Sequence, residues 1–599
     1  MILNALTDYY QRLEDDPDSD IAPFGWSRQK IGFVIVINDD GSLHAIESPP
    51  GGDEDARKQF TLLVPGQSKP SGSGINPCFL WDNATYTLGF APDGRNDAWA
   101  RERFEGFRAR HLAIAGEIND ESFAAVSAFL EQWSPADLSD HIDVDEPPTG
   151  FGVFRIRTAT EFVHDRPAIR AYWDTQIECA PDDGTLGQSL LTGKAEPIAR
   201  LHEPKIKGVW GAQTSGALLA SFNLDAFESY GNEQCYNAPV GERDAFRYCT
   251  ALNFLLADSR RRAQVGDTSV VFWSDRPSPV ENWLGFVIAG AEDEETITGI
   301  EAFLKSLRQG RPSTELDDLE TPFYVLGLSP NASRISIRFW LTGTAGEFAE
   351  RIADHADALQ LDGEPKGYRF PSIRRLVNET APPKAGWPDA DRVSPVLAGE
   401  VTRAILTGVP YPRTLLTGVI QRIRAEGFID TDKRKDWRAA MHRRASIIKA
   451  CLTRGSFTNS STESEMTVSL NEDHSDHAYQ FGRLFAALEK TQEEAHDNNL
   501  SRTIRDKYFG SASATPAAIF PSLLRLHAHH LKKLSHPGRR INMEKLVGAI
   551  MDNIDDGMPR HLSLERQGLF YLGYYHQRTA LFTPSKTPTM KQETKGAAE

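Results

Sequence analysis

Apolar positions in the first half of the chain fall into two alternating periods. The opening MILNALTDYYQRL puts Ile2, Leu3, Leu6, Tyr9, Tyr10 and Leu13 on one side of a helix. Ile31 to Ile37 is an unbroken apolar run of strand length. Asn38-Asp39-Asp40-Gly41 reads as a turn and Leu43 to Glu47 as a second strand, so the three form a hairpin. Strand patterns recur at Phe151 to Arg157, Leu218 to Phe222, Ser269 to Trp273, Phe323 to Leu328 and Ile335 to Leu341. Helical spacing falls at Asp97 to Ala115, Ser122 to Trp133, Pro167 to Ile177, Arg243 to Arg262, Ile297 to Leu307 and Thr344 to Leu361. Such mixing predicts an α+β region over 1–365, with a subdivision near 135–150.

The pattern then changes. Residues 366–394 are rich in Pro, Lys, Asp and Gly, as in APPKAGWPDADR, and read as a linker. Beyond it the strand signal disappears. Helical periods cover Pro395 to Leu406, Arg413 to Ala425, Lys435 to Thr453, Asp476 to Ala495, Pro516 to Lys533, Asn542 to Asn553 and Ser563 to Arg578. An all-helical bundle over 395–580 is expected. Gly455 to Ser475 is polar enough to be flexible, and 581–599 reads as a disordered tail.

Composition narrows the class. Charge is uneven in a chain of 599 residues and net charge −17: from residue 395 onward 29 Lys and Arg face 22 Asp and Glu, about +7, which leaves about −24 for the rest. An acidic chain is repelled by nucleic acid at long range, so any such binding must use local patches. No run reaches the ~20 apolar residues of a membrane helix, and the N-terminus lacks a basic, apolar leader. The five cysteines, Cys78, Cys179, Cys235, Cys249 and Cys451, are odd in number and include no CxxC. Disulfide and zinc frameworks are therefore not expected, and a reducing cytoplasm is.

Catalytic constellations are weak. Neither GxxxxGK[ST] nor GxGxxG occurs. Asp182 followed by Glu203-Pro204-Lys205 matches the outline of a metal nuclease. That chemistry needs the Glu and Lys on alternate positions of one strand, and proline between them removes a ladder hydrogen bond. His527, His529 and His530 share a predicted helix, and His474 and His477 lie near Asp473 and Asp476, but neither group offers a third convergent ligand. Neither a cofactor nor a metal is expected.

Three segments dense in Gly, Ser, Asn and aromatics remain. In GQSKPSGSGINPCFLWDNATYTLGF, Lys69, Ser71, Gly72, Ser73, Gly74, Asn76 and Asn83 suit close approach to phosphate and base edges. The second segment has Lys205 and Lys207 before Gln213, Thr214 and Ser215. In the third, Arg505, Lys507, Arg525, Lys532, Lys533, Arg539 and Arg540 cluster on and around a helix begun by Thr515-Pro516 and could meet a nucleic-acid backbone. Surface turns and solvated faces are the bland alternatives.

Long motifs in order carry a resemblance: MILNALTDYYQRL, FLWDNATYTLG, GAQTSGALLASFN with AFESYG and NAPV, FYVLGLSPNASRISIRFW, and IRDKYFGSASATPAAIFPSLLRL. Together they resemble the Csd-one family, the large subunit of type I-C CRISPR Cascade, from Met1 to about Arg578. The resemblance implies a non-catalytic subunit of a crRNA-guided complex, beside Cas-five-type and Cas-seven-type subunits and a small subunit. It implies recognition of the protospacer-adjacent motif in double-stranded DNA, insertion of a loop to start R-loop formation, and a surface for the Cas-three helicase-nuclease. It also implies that the C-terminal helices are made separately from an internal start, for which Met466 is suitably placed, making 466–599 the small-subunit equivalent. A metal-dependent nuclease using Asp182, Glu203 and Lys205, and a purely structural scaffold, are the alternatives.

Overall fold

The computed structural model describes residues 1–48, 60–66, 74–141, 148–178, 185–278, 280–290, 319–366, 368, 370–426, 436–454, 466–497, 500, 502–554 and 557–582. The chain forms two compact units, one of residues 1–207 and 215–254, the other of 208–214 and 255–599.

In the first unit, α1 (Ile2–Glu14) precedes β1 (Trp26–Ile37), β2 (Leu43–Glu47), β3 (Thr61–Pro65) and β4 (Trp81–Asn83). The short α2 (Ala84–Thr87), α3 (Asp97–Ala113) and α4 (Glu121–Gln132) lead to β5 (Phe151–Ile156) and α5 (Pro167–Glu178). The small strands β6 (Leu186–Gln188) and β7 (Ala195–Pro197) pair with each other, and α6 (Glu242–Ala257) follows. The main sheet runs β2-β1-β5-β4, with β3 also on β1. β1 and β5 are parallel, and the other pairs are antiparallel.

The expected hairpin is present, with Val34 opposite Glu47 and Ile35 opposite Ile46. The run Ile31–Ile37 is so apolar because both faces of β1 are covered. Phe33, Ile35 and Ile37 pack with Phe104, Phe107, Phe123 and Phe129. Ile31, Val34 and Val36 pack on the other side with Val64, Trp81 and Val153. Gly32 marks a register shift between Ile31 and Phe33; a Cβ there would lie 1.8 Å from the Thr149 carbonyl oxygen.

The second unit contains β8 (Arg262–Val265), β9 (Thr268–Ser274), α7 (Val280–Ala289), β10 (Pro322–Asn331) and β11 (Arg334–Thr344). Its sheet is antiparallel, ordered β11-β10-β9-β8. Helices α8 (Ala345–Leu359) and α9 (Ile373–Asn378) and the small pair β12 (Pro383–Lys384) and β13 (Trp387–Pro388) follow. Then come α10 (Pro395–Thr407), α11 (Arg413–Glu426), α12 (Trp437–Thr453), α13 (His477–Ala495), α14 (Ile504–Ala514), α15 (Pro516–Lys533), α16 (Pro537–Asp552) and α17 (Leu564–Phe582). The architecture is thus α+β, mixed at the N-terminal end and all-helical among the described residues after 395.

One continuous core joins this sheet to the helices, from Val270 and Phe323 through Phe348, Val401 and Ile448 to Phe485 and Phe570. Residues 366–394, expected as a linker, carry α9, whose Ile373, Leu376 and Val377 are buried in that core. Glu379 is fully buried there. Its two oxygens accept from Arg443 Nε at 2.8 Å and Arg444 Nε at 3.0 Å, and Arg444 also bonds Glu426 at 2.8 Å.

The structure also departs from the sequence reading elsewhere. Leu218 to Phe222 is not a strand; Ala217, just before it, forms an isolated bridge with Ile206. The helix expected over Arg243 to Arg262 ends at Ala257, and Arg262 begins β8. The second half of the polar stretch 455–475 is packed rather than loose: His474 is buried and stacks on Tyr479 at 4.3 Å. Helix α14 was not anticipated, although Thr503 and Asp506 form a capping box at its start. The helix expected at Ile297 to Leu307, residues 455–465 and the tail from 583 lie outside the described residues.

Candidate nucleic-acid interface

Of the first polar segment, Lys69, Ser71, Gly72 and Ser73 lie outside the described residues. Gly74 is exposed and Asn76 half-buried, with the Asn76 backbone N–H directed to the Tyr86 hydroxyl at 3.3 Å. The aromatic run that follows belongs to the core. Phe79, Leu80, Trp81, Ala84 and Leu88 are buried. Leu80 donates its N–H to Nε2 of buried His111 at 2.9 Å, and burial lowers that imidazole's pKa to about 3, keeping it neutral. Asp82, fully buried, accepts from the N–H groups of Cys78 and Asn83. Asn83 caps α2, its Oδ1 accepting from Thr85 N and Tyr86 N at 3.1 and 3.3 Å. Asn83 therefore holds the local turn, whereas the Asn76 side chain is a freer candidate for recognition.

The second segment is a loop with fixed ends. Ile206 and Ala217 exchange backbone hydrogen bonds at 2.8 and 2.9 Å. The Asn253 amide on α6 clamps the entry, donating to Lys205 O at 3.0 Å and accepting from Lys207 N at 2.7 Å. Gly216, with φ +93°, passes so close that a Cβ would meet Lys205 Cβ at 2.7 Å. Lys207, Gln213, Thr214 and Ser215 are exposed and Lys205 is half-buried. Trp210, which the sequence reading passed over, is 68% exposed in this loop; the signal available was its place between glycines, in GVWG.

The nuclease outline is not assembled as a strand pair. Glu203 and Lys205 lie in irregular backbone, and Asp182 is outside the described residues. Burial raises the Glu203 pKa, against the nearby charges of Lys205 and Arg200. Among the described residues no group of three or more His, Cys, Asp or Glu is placed to hold a metal ion.

The seven cations of the third segment separate into two kinds. Arg505 is buried beside Glu489, its Nε 3.5 Å from the carboxylate, and Arg539 makes a two-pronged pair with Glu494 at 2.7 Å through each nitrogen. Lys507, Arg525, Lys532, Lys533 and Arg540 are exposed. On α15 the spacing of Arg525, His529, Lys532 and Lys533 puts them on one outward stripe. The opposite side, with Phe520, Leu523, His527 and Leu531, is buried. His527 is a core histidine: both ring nitrogens lack a hydrogen-bond partner, and burial lowers its pKa to about 4. No helix among the described residues is long and apolar enough to cross a membrane.

The chain is thus an α+β protein with a helical core, glycine-hinged polar loops and a cationic helix stripe. Comparison gives the family: the model of a family described as CRISPR-associated protein (Cas_Csd1) matches residues 6–582. The chain belongs to this family, the large subunits of type I-C Cascade. No curated protein matches it.

Proposed function

We propose that this chain acts without catalysis of its own in a crRNA-guided surveillance complex, reading the protospacer-adjacent motif and starting the opening of target DNA. Its family membership over residues 6–582 carries this reading. In it, the half-buried Asn76 and, separately, the exposed Gln213 and Thr214 are candidates for contact with the flanking base pairs. The exposed stripe of Arg525, Lys532 and Lys533, with Lys507 and Arg540, follows the phosphates of an opened strand. Arg505 and Arg539 are left out of that set, because each already serves a carboxylate of its own fold. Unstacking a base step costs roughly a few kcal/mol, offset by contacts to the separated strands. Cas-five-type and Cas-seven-type neighbours, a small subunit and the Cas-three helicase-nuclease are the partners, and the cytoplasm is the setting.

The direct test is purification through a tag on this chain from cells expressing the whole locus. Expected are a uniform short RNA, a repeated backbone subunit, and a C-terminal fragment of about 15 kDa beginning at or near Met466. Recovery of the chain alone would sink the reading.

The stripe has its own test. Changing Lys507, Arg525, Lys532, Lys533 and Arg540 together to glutamine should weaken duplex binding on the order of 100-fold at low salt. It should also flatten the plot of log affinity against log salt by up to about four units, and leave motif preference unchanged. An unaltered salt slope would return these side chains to an ordinary solvated surface.

A further inference from the structure

The loop containing Trp210 combines three features that a scaffold turn does not require. Its backbone is held firmly. The Trp210 N–H donates to the Ser269 hydroxyl at 3.0 Å, and that hydroxyl donates to Gln264 Oε1 at 2.9 Å. Ala212 closes a turn onto Val209 O at 3.1 Å, and Val209 is buried. Arg262 fastens the start of the loop through Gly208 O at 3.4 Å while also bonding Leu256 O at 2.9 Å. Gly208 and Gly211 flank the tryptophan at φ +91° and +76°, conformations in which an L side chain would be strained.

On this anchored backbone the indole is not tucked in. Trp210 is 68% exposed, and Gln213 and Thr214 of the same loop are exposed as well. Large aromatics are normally among the best-buried residues, so a rigidly mounted and exposed one points to a ligand with a flat face.

The local charge says which ligand. In a chain of net charge −17, the stretch from Pro204 to Leu224 contains no Asp or Glu and two lysines, Lys205 and Lys207. A polyanion can approach here, whereas it is repelled from most of the acidic surface. We infer that Trp210 is a stacking platform for an unpaired nucleobase, carried on a stretch of chain free of carboxylates. The inference takes its setting from the DNA-opening reading above: a base freed at the first separated pair is the ligand expected there. The stacking itself needs only a single strand, because every base has a π face.

The test uses the full-length chain and a fluorescein-labelled, adenine-rich single strand at low salt. Trp210→Ala should weaken binding on the order of ten-fold, and Trp210→Phe should recover most of the loss. Because stacking releases no counterions, Trp210→Ala should keep the wild-type salt slope. Wild-type thermal unfolding in Trp210→Ala is expected, since the side chain is exposed. Equal single-strand binding by Trp210→Ala and wild type, or no binding by either, overturns the assignment. So does loss of a protein subunit from the tagged complex with strand binding intact, which would make Trp210 a protein contact. The two readings fail separately. If the assembled wild-type complex ignores the flanking sequence while Trp210→Ala still loses strand binding, the motif-reading role falls and the stacking role stands.

Discussion

Replacing Glu489 by alanine should lower the unfolding free energy of the second unit by about 3–5 kcal/mol, the largest loss expected from a single polar side chain here. Glu489 sits on α13 with no exposed surface. Its carboxylate accepts from Arg578 Nη1 at 2.8 Å, from the Tyr574 hydroxyl at 2.5 Å and from the Thr503 hydroxyl at 2.7 Å. Arg505 Nε lies 3.5 Å away. Burial works to lower the Arg578 and Arg505 pKa values, but Tyr574 and Glu489 together hold them up, and the Glu489 charge pushes the Tyr574 hydroxyl, already disfavoured from ionising by burial, further up. Removing the carboxylate strands the guanidinium groups of buried Arg505 and half-buried Arg578, of which Arg578 keeps Glu493 at 3.1 Å. Leaving one half of a buried ion pair uncompensated costs far more than the pair contributes net. Glu489→Gln keeps the volume and one accepting oxygen, so its loss should be clearly smaller. Urea unfolding followed by tryptophan fluorescence measures both. A loss under about 1 kcal/mol in the alanine variant would show that water reaches and rescues the two arginines.

The second large effect is steric. Helices α13 and α17 approach so closely that backbone touches backbone at two glycines. A Cβ on Gly482 would lie 1.9 Å from the Phe570 carbonyl oxygen and 2.7 Å from Tyr574 N. A Cβ on Gly573 would lie 2.1 Å from the Tyr479 carbonyl oxygen. Because these obstacles are main chain, no rotamer change relieves them; the helices must move apart. That separation would strain the Tyr479 hydroxyl bond to His576 at 2.7 Å and the Arg483 bond to Gln577 at 3.0 Å. Gly573→Ala should therefore cost about 3 kcal/mol, at the upper end for overpacked sites, despite alanine's better helix propensity. The change at Gly548, where a Cβ meets nothing within 4 Å on α16, is the control and should be neutral or slightly stabilising. If Gly573→Ala melts like wild type, the close approach is softer than its geometry implies. Both glycines lie C-terminal to Met466, so the same change should also lower the yield of the proposed 15 kDa fragment.

The candidate site was legible to unequal degrees. Thr515-Pro516 announced α15, and spacing alone aligned Arg525, Lys532 and Lys533 on its outer face. Nothing local distinguished Arg505 from Lys507. One is buried on Glu489 and the other exposed, because that depends on which face of α14 meets α13. Asn83 read as a free polar group because N-capping is a matter of backbone direction after Trp81. Trp210 was passed over because an aromatic among Val, Ala and Leu reads as core; only the burial of Val209 and exposure of its neighbour separate the two.

The sequence by itself determined the kinds of element and the family. Periods of two and 3.6, caps and glycines act over a few residues, so β1, β10, α13 and α15 could be placed from their own stretches of chain. Only the tertiary structure decided that Ile373, Leu376 and Val377, within the expected linker, belong to a core and that the sheet of β8 to β11 shares that core with the helical part. It alone set Glu379 against Arg443 and Arg444, and Gly482 against Phe570. Those pairings join residues separated by 64 positions or more. They follow from which faces are buried together, a property of the whole packed chain that no local window contains.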